Sequence, residues 1–206
     1  MTTRDDIFQS ICANRPRVDR PLPTVPLFDA YPPSSLLAAF RESLERMGGC
    51  WLDPPASGDA LAPVREKLAQ AKVVCSTVAE LAGNRDIAAI GIPQKLADVD
   101  FALVRAAFAV AETGSVLLSD RELTVNAVAY LAQHLVVLLD PADIVLNLHH
   151  AYRRPEFRER PYASFHTGPS ATADIEGVLI HGAQGVRSLS VLPIARSLRP
   201  SNERRG

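Results

Sequence analysis

The sequence contains few cysteines, and they are not clustered. Among its 206 residues only Cys12, Cys50 and Cys75 are cysteines, and no two of them form a Cys-x-x-Cys pair. A disulfide framework, a structural zinc site or an iron–sulfur cluster held by this chain would need more thiols at closer spacing. We therefore predict three reduced thiols in the core and no metal bound by this chain.

An excess of one charge and long apolar runs are also missing. The chain carries 22 basic and 23 acidic residues, a formal net charge of -1. No global field therefore favours nucleic acid or an anionic membrane. No run of about 18 uncharged apolar residues is present, and the N-terminal MTTRDDIFQS does not have the basic-then-apolar pattern of a signal peptide. We expect a cytoplasmic protein that has neither nucleic acid nor a membrane as its partner.

Several familiar site motifs are absent as well. There is no GxGxxG, no GxxxxGK[ST] and no HExxH, and the segment GPSAT lacks the final glycine of a GxSxG nucleophile elbow. Ser170 therefore has no case as an acyl nucleophile. His149 and His150 are adjacent on a predicted helix, about 100° apart around its axis, so they do not readily face one metal.

The first part of the chain is rich in proline. Residues 3–14 are predicted to form a short helix with Ile7, Phe8 and Ile11 on one stripe. Six prolines then lie between residues 15 and 33, where they fix φ and remove backbone donors. We predict three parts: an N-terminal helix and proline-rich arm over residues 1–33, a single α/β domain over 34–198, and a flexible tail over 199–206.

After residue 34, helical and strand patterns alternate along the chain. Apolar residues at helical spacing predict a first helix over 34–47. Ser34 or Ser35 would cap its start, and Gly48-Gly49 would end it. Short apolar runs between helices are typical of a mostly parallel sheet flanked by helices, the α/β class. Further helices are predicted at 59–71, 77–82 and from 141 onward, and strands at 50–52, 73–75, 87–90, 134–139, 177–181 and 188–194, with strands around a turn at Gly114 within 101–118.

The first candidate site is the segment Glu112, Thr113, Gly114 and Ser115. It places a carboxylate after an apolar run and before a glycine turn, where a strand of an α/β sheet would open into a crevice. A surface glutamate at a turn is the simpler interpretation.

The second candidate site is the segment that contains Gly168, Ser170, Thr172, Asp174 and Glu176. Ser170 and Thr172 are predicted to cap a helix. Alternatively, their hydroxyls and the N–H groups at the start of that helix would bind an anion. The two carboxylates would already complement the positive helix end and repel a second anion, so a ribose-type hydroxyl or a basic group on a partner suits them better. Because both candidate segments lie at turns beside strands, we expect them to share one site.

At these residues the sequence resembles the LUD-domain family, specifically its lactate-utilisation protein C (LutC) group. The resemblance covers about residues 85–195 and rests on the AETGS segment at 111–115, the strand at 134–139, the GPS and TADIE segments between 168 and 176, and the glycines Gly182 and Gly185 before the last strand. Two positions differ from the family pattern. Ala171 stands where a basic residue is common, and Gln184-Gly185-Val186 stands where a histidine-glycine-proline turn is common.

The resemblance implies a NagB/RpiA/CoA-transferase-like fold and a role in the oxidation of L-lactate to pyruvate. It also implies that the iron–sulfur clusters belong to companion LutA- and LutB-like proteins. The first hypothesis is an accessory or regulatory subunit that binds a small anionic or nucleotide-like ligand, such as a coenzyme A derivative, in a cleft lined by residues of both candidate segments. One alternative is an autonomous CoA-transferase- or ligase-like enzyme with Glu112 as catalytic nucleophile or base. The other is a structural scaffold without a ligand site.

Overall fold

The computed structural model describes residues 2–16 and 21–196 of the chain. The helices are α1 Thr3–Asn14, α2 Leu36–Arg46, α3 Ala62–Leu68, α4 Asp120–Leu123, α5 Val128–Leu131, α6 Leu148–Ala151 and α7 Pro155–Arg158, with 3₁₀ turns at Pro93–Leu96 and Pro141–Asp143. The strands are β1 Cys50–Trp51, β2 Val74–Ser76, β3 Phe101–Arg105, β4 Phe108–Val110, β5 Ser115–Ser119, β6 His134–Leu139, β7 Ile144–Val145, β8 Ala163–His166, β9 Ala171–Thr172, β10 Ile180–His181 and β11 Ser188–Pro193.

A central sheet of five parallel strands has the order β1-β11-β6-β3-β2. Its middle strand β6 is buried on both faces. Leu135 and Val137 pack into one hydrophobic cluster, whereas Val136 and Leu138 pack into another on the opposite face. Such continuous apolar strands form where helices and loops cover both sides of a parallel sheet. The predicted α/β class with a mostly parallel sheet flanked by helices is confirmed.

A second sheet of four strands has the order β7-β4-β5-β8 and mixed direction. Strands β4 and β5 pair antiparallel around the turn that contains Gly114, so the predicted strands within 101–118 are confirmed. Strand β8 adds to β5 antiparallel, and β7 adds to β4 parallel. The sequence did not predict this second sheet.

The predicted helix after Ser170 is wrong, because this segment is a β-hairpin. Strand β9 pairs antiparallel with β10, with Thr172 opposite Ile180. The hydroxyl of Thr172 accepts the N–H of Asp174 (3.3 Å) and so closes a local turn. Glu176 and Gly177 have positive φ, which bends the chain back toward β10 instead of continuing a helix.

Three other element predictions are corrected. No helix forms over 77–82, because the Ser76 hydroxyl donates to the Leu81 carbonyl (2.6 Å) and folds the segment into turns. Residues 87–90 form a turn instead of a strand, since the Asp86 carboxylate accepts the Ala88 N–H (2.9 Å). The helix predicted from Pro141 is only a 3₁₀ turn, after which β7 pairs with β4.

The N-terminal helix α1 is confirmed at Thr3–Asn14, and none of its residues is buried. Residues 21–33 form no helix or strand. This arm contacts the region of α6, where the Asn147 amide donates to the Leu27 carbonyl (2.7 Å) and the rings of Phe28 and His149 lie 4.7 Å apart. The division at residues 33 and 198 stays a prediction, and the predicted tail over 199–206 lies outside the described residues.

Within residues 2–16 and 21–196, the helices are too short or too polar to cross a membrane.

Candidate functional site

The turn that contains Glu112 and Gly114 packs closely against α2. The Ser43 hydroxyl donates to the Glu112 carbonyl (3.3 Å). Gly114 has φ +67°, and a Cβ there would lie closer than 3.0 Å to the backbone of Leu44. Only glycine fits both this conformation and this approach.

The Glu112 carboxylate accepts the N–H of Leu148 (3.2 Å), the first residue of α6. It therefore satisfies one of the N–H groups that a helix start leaves without an intrahelical partner. Within the described residues it makes no hydrogen bond to Ser170, Thr172, Asp174 or Glu176.

Three hydroxyl groups link the first candidate segment to the second. Ser115 is buried, and its oxygen lies 2.7 Å from that of Thr113 and within hydrogen-bond distance of that of Thr167. Thr167 directly follows β8 and precedes Gly168. The structure therefore brings residues 113–115 beside the start of the 168–176 segment.

Gly168 packs against the carboxyl-terminal end of the same helix α2. It has φ +61°, and a Cβ would lie closer than 3.0 Å to the Met47 carbonyl oxygen. Gly114 and Gly168 thus place the two candidate segments on one end of α2.

Ser170 connects its segment to the loop over residues 182–186. Its N–H donates to the Val186 carbonyl (2.9 Å) and its hydroxyl donates to the Ala183 carbonyl (2.6 Å). Thr172 is half-buried on β9, whereas Asp174 and Glu176 are exposed on the hairpin. The two carboxylates therefore lie on the exposed hairpin, whereas Ser115 is buried and Thr167 is half-buried.

A surface cleft of about 370 Å³ lies on the other side of the 182–186 loop, at the amino ends of β6 and β11. Sequence reasoning missed its principal side chains, Tyr130 and Arg187, because α5 and the residue before β11 are distant in sequence. The glycines Gly182 and Gly185 were the only signal there. The cleft is lined by Ala97, Tyr130, Leu131, Gln133, Gly182, Gln184, Gly185 and Arg187.

A polar cluster lies behind Tyr130. The Tyr130 and Tyr162 hydroxyls are hydrogen-bonded, and the Tyr130 hydroxyl also donates to Ser164 (3.1 Å). Burial and the hydrogen bond with Tyr130 raise the pKa of Tyr162 to about 12, so this phenol stays protonated at neutral pH.

His166 on β8 completes this cluster, with its ring centroid 5.2 Å from that of Tyr130. It is buried, and its Nε2 atom has no hydrogen-bond partner within the described residues. Burial lowers the pKa of His166 to about 4, so the imidazole is neutral at neutral pH. Among the histidines, only His149 and His150 were singled out in the sequence analysis.

The carboxyl ends of the parallel strands, where α/β sheets commonly bind ligands, are occupied by paired charges. Arg105 forms an ion pair with Glu80. Arg196 binds Asp143 (3.1 Å), and its other guanidinium nitrogen donates to the Ala106 carbonyl (2.9 Å). Both arginines at this end of the sheet are therefore already paired within the chain.

In the ranges 2–16 and 21–196, no group of three or more His, Cys, Asp or Glu side chains is placed to hold a metal ion.

Comparison with known proteins gives a family and a fold. Residues 63–193, more than half of the chain, match the family model described as LUD domain. No curated protein matches the chain. A solved structure, described as a DUF162 family protein from Deinococcus radiodurans, is similar over 76% of this chain and 94% of its own, with a TM-score of 0.55 and 18% sequence identity. At that identity the likeness shows the fold alone.

Proposed function

The chain belongs to the LUD-domain family, and from that membership we propose that it is a LutC-like accessory or regulatory component of an iron–sulfur system that oxidises L-lactate to pyruvate. The family is associated with lactate utilisation in general. In this proposal the chain acts in the cytoplasm, and the clusters that carry electrons belong to LutA- and LutB-like partner proteins.

The observation that supports a partner-binding role most strongly is the exposed apolar end of the β9–β10 hairpin. Four aliphatic side chains that follow one another closely in sequence are largely exposed there, in a two-stranded sheet that no other strand joins in the described residues. Contiguous exposed apolar surface of this kind marks interaction sites on soluble domains. We define the hairpin patch as Ile175, Val178, Leu179 and Ile180.

Two carboxylates border the hairpin patch. Asp174 and Glu176 are exposed, and neither forms an ion pair within the described residues. An apolar centre with a charged rim is the usual composition of a protein interface, and acidic rims favour basic partners. We therefore propose that the partner presents an apolar surface bordered by lysine or arginine.

The proposal also includes a small-ligand site beside the two glycine turns. Gly114 and Gly168 fix the two segments on α2, Thr113 and Ser115 tie them together, and Ser170 holds the 182–186 loop. In this proposal Thr172, Asp174 and Glu176 lie on the side of the site that faces the partner. Glu112 lies on the other side, next to α6.

The experiment is a binding titration of the purified chain with reconstituted LutA- and LutB-like iron–sulfur proteins. Leu179→Asp should weaken binding by at least about tenfold, since loss of a central apolar contact at an interface costs more than about 1 kcal/mol. Ile92→Asp is the matched control, because Ile92 is 53% exposed and Leu179 is 59% exposed. Equal binding by both variants, or no binding by the unmodified chain, would overturn the proposal.

A further inference from the structure

Arg187 lies on the wall of the cleft beside Tyr130, directly before β11. Its backbone is held in place, because its N–H donates to the Gln133 carbonyl (2.7 Å). Its guanidinium contacts no carboxylate in the part of the chain that the structure describes, whereas Arg105 and Arg196 at the opposite edge of the sheet are both ion-paired. A planar guanidinium with free donors is well suited to carboxylate or phosphate oxygens.

The loop that precedes Arg187 lines the same cleft through Gly182, Gln184 and Gly185. Gly182 and Gln184 have φ of +78° and +56°, so left-handed residues alternate with ordinary ones. The N–H groups of Gln184 and Gly185 donate to no acceptor within residues 2–16 and 21–196. Successive free N–H groups in such a conformation form a concave site for anions.

No carboxylate lines this cleft. The carboxylate of Asp100, near the start of β3, already accepts hydrogen bonds from the N–H groups of Lys72 (2.7 Å) and Val73 (2.9 Å). The cleft therefore differs from the hairpin, where Asp174 and Glu176 would repel an anion. Its charge comes from Arg187.

We propose that the cleft binds a small organic anion, whose carboxylate or phosphate group contacts Arg187 and the N–H groups of Gln184 and Gly185. A volume of about 370 Å³ is larger than an inorganic ion requires and lies within the range of small-molecule sites. This inference rests on the proposed function, which includes a small anionic ligand, and it gives that ligand a cleft across the 182–186 loop from the glycine turns at 114 and 168.

The test is isothermal titration calorimetry of the purified chain with four probes, namely L-lactate, pyruvate, coenzyme A and inorganic phosphate. We expect at least one organic probe to bind more tightly than phosphate. Arg187→Gln should weaken that binding by tenfold or more and leave the unfolding temperature of the free protein unchanged. Arg153→Gln is the matched control, since Arg153 is also exposed, lies two residues after α6 and forms no ion pair in the described part of the chain.

Three outcomes would overturn the inference: no binding of any probe, tighter binding of phosphate than of every organic probe, or an equal loss in Arg187→Gln and Arg153→Gln. The partner titration contains no small ligand. Complex formation without anion binding would therefore refute only this inference, and anion binding without a complex would refute only the accessory-subunit role.

Discussion

Replacing Gly168 by alanine tests the packing on which the candidate site depends. Gly168 is buried with φ +61°, and an added Cβ would lie closer than 3.0 Å to the Met47 carbonyl oxygen. That oxygen belongs to the backbone at the end of α2, so it does not move away as the tip of a flexible side chain would. The substitution therefore combines backbone strain with a steric clash.

A substitution at Gly177 allows the backbone strain to be measured without the steric clash. It has a similar φ of +70°, but a Cβ there meets nothing within 4 Å. Left-handed backbone costs an alanine roughly 1–2 kcal/mol, and overpacking adds about 1–3 kcal/mol. We expect Gly177→Ala to lose roughly 1–2 kcal/mol of unfolding free energy and Gly168→Ala roughly 2–5 kcal/mol.

The assay is urea unfolding followed by the fluorescence of Trp51, the one tryptophan in the sequence, which packs edge-on against Phe40. For a chain of this size 1 kcal/mol corresponds to about 2–4 °C in the unfolding temperature, so thermal scans should separate the variants as well. Equal losses in Gly168→Ala and Gly177→Ala, at unchanged m-values, would refute the close approach of Gly168 to α2.

Three further predictions concern polar side chains. Ser170→Ala should cost about 1–3 kcal/mol, because it removes the 2.6 Å bond to the Ala183 carbonyl and leaves that oxygen unpaired; a loss below the error of denaturant unfolding would argue against this role. On folding, burial lowers the pKa of His166 from 6.5 to about 4, so the unfolded chain takes up the proton first as pH falls. Stability should then decline between about pH 6.5 and pH 4 by roughly 3 kcal/mol, and His166→Phe should flatten that part of a plot of unfolding temperature against pH; an unchanged profile would contradict the assignment. Glu112→Gln should lower the unfolding free energy by less than about 1 kcal/mol, since an amide oxygen can still accept the Leu148 N–H. A thioester adduct at Glu112, detected by mass spectrometry, would instead favour the transferase alternative.

The parts of the fold that the sequence predicted correctly are those that local pattern determines. Strand β6 is an almost continuous apolar run, which is the pattern expected of a strand that is buried on both faces. Helix α2 has its Ser35 cap, its periodic apolar residues and a glycine end. Each of these signals lies within the element itself, so no distant contact needs to be known.

The hairpin at 171–181 was mispredicted because its structure depends on a distant partner. Ser170, Thr172 and the two acidic residues form a good local pattern for a helix start. In the structure Ser170 instead bonds Ala183 and Val186, and Thr172 lies opposite Ile180. Contacts between residues eight to sixteen positions apart outweigh a local propensity that is worth only about 1 kcal/mol.

The cleft could not be predicted for the same reason. Tyr130 and Arg187 come from α5 and from the residue before β11, and the parallel pairing of β6 with β11 brings these two regions together. The glycines at 114 and 168 were identified as turns from sequence. That both pack on α2 follows only from the three-dimensional arrangement.

The most direct test of the proposed role is the rate at which reconstituted LutA- and LutB-like proteins reduce an electron acceptor with L-lactate as substrate, measured as this chain is added. The account predicts that the rate rises and saturates near one chain per complex, that Ile92→Asp behaves like the unmodified chain, and that Leu179→Asp gives little increase. A rate that is independent of the added chain would contradict the assignment of this protein to lactate oxidation.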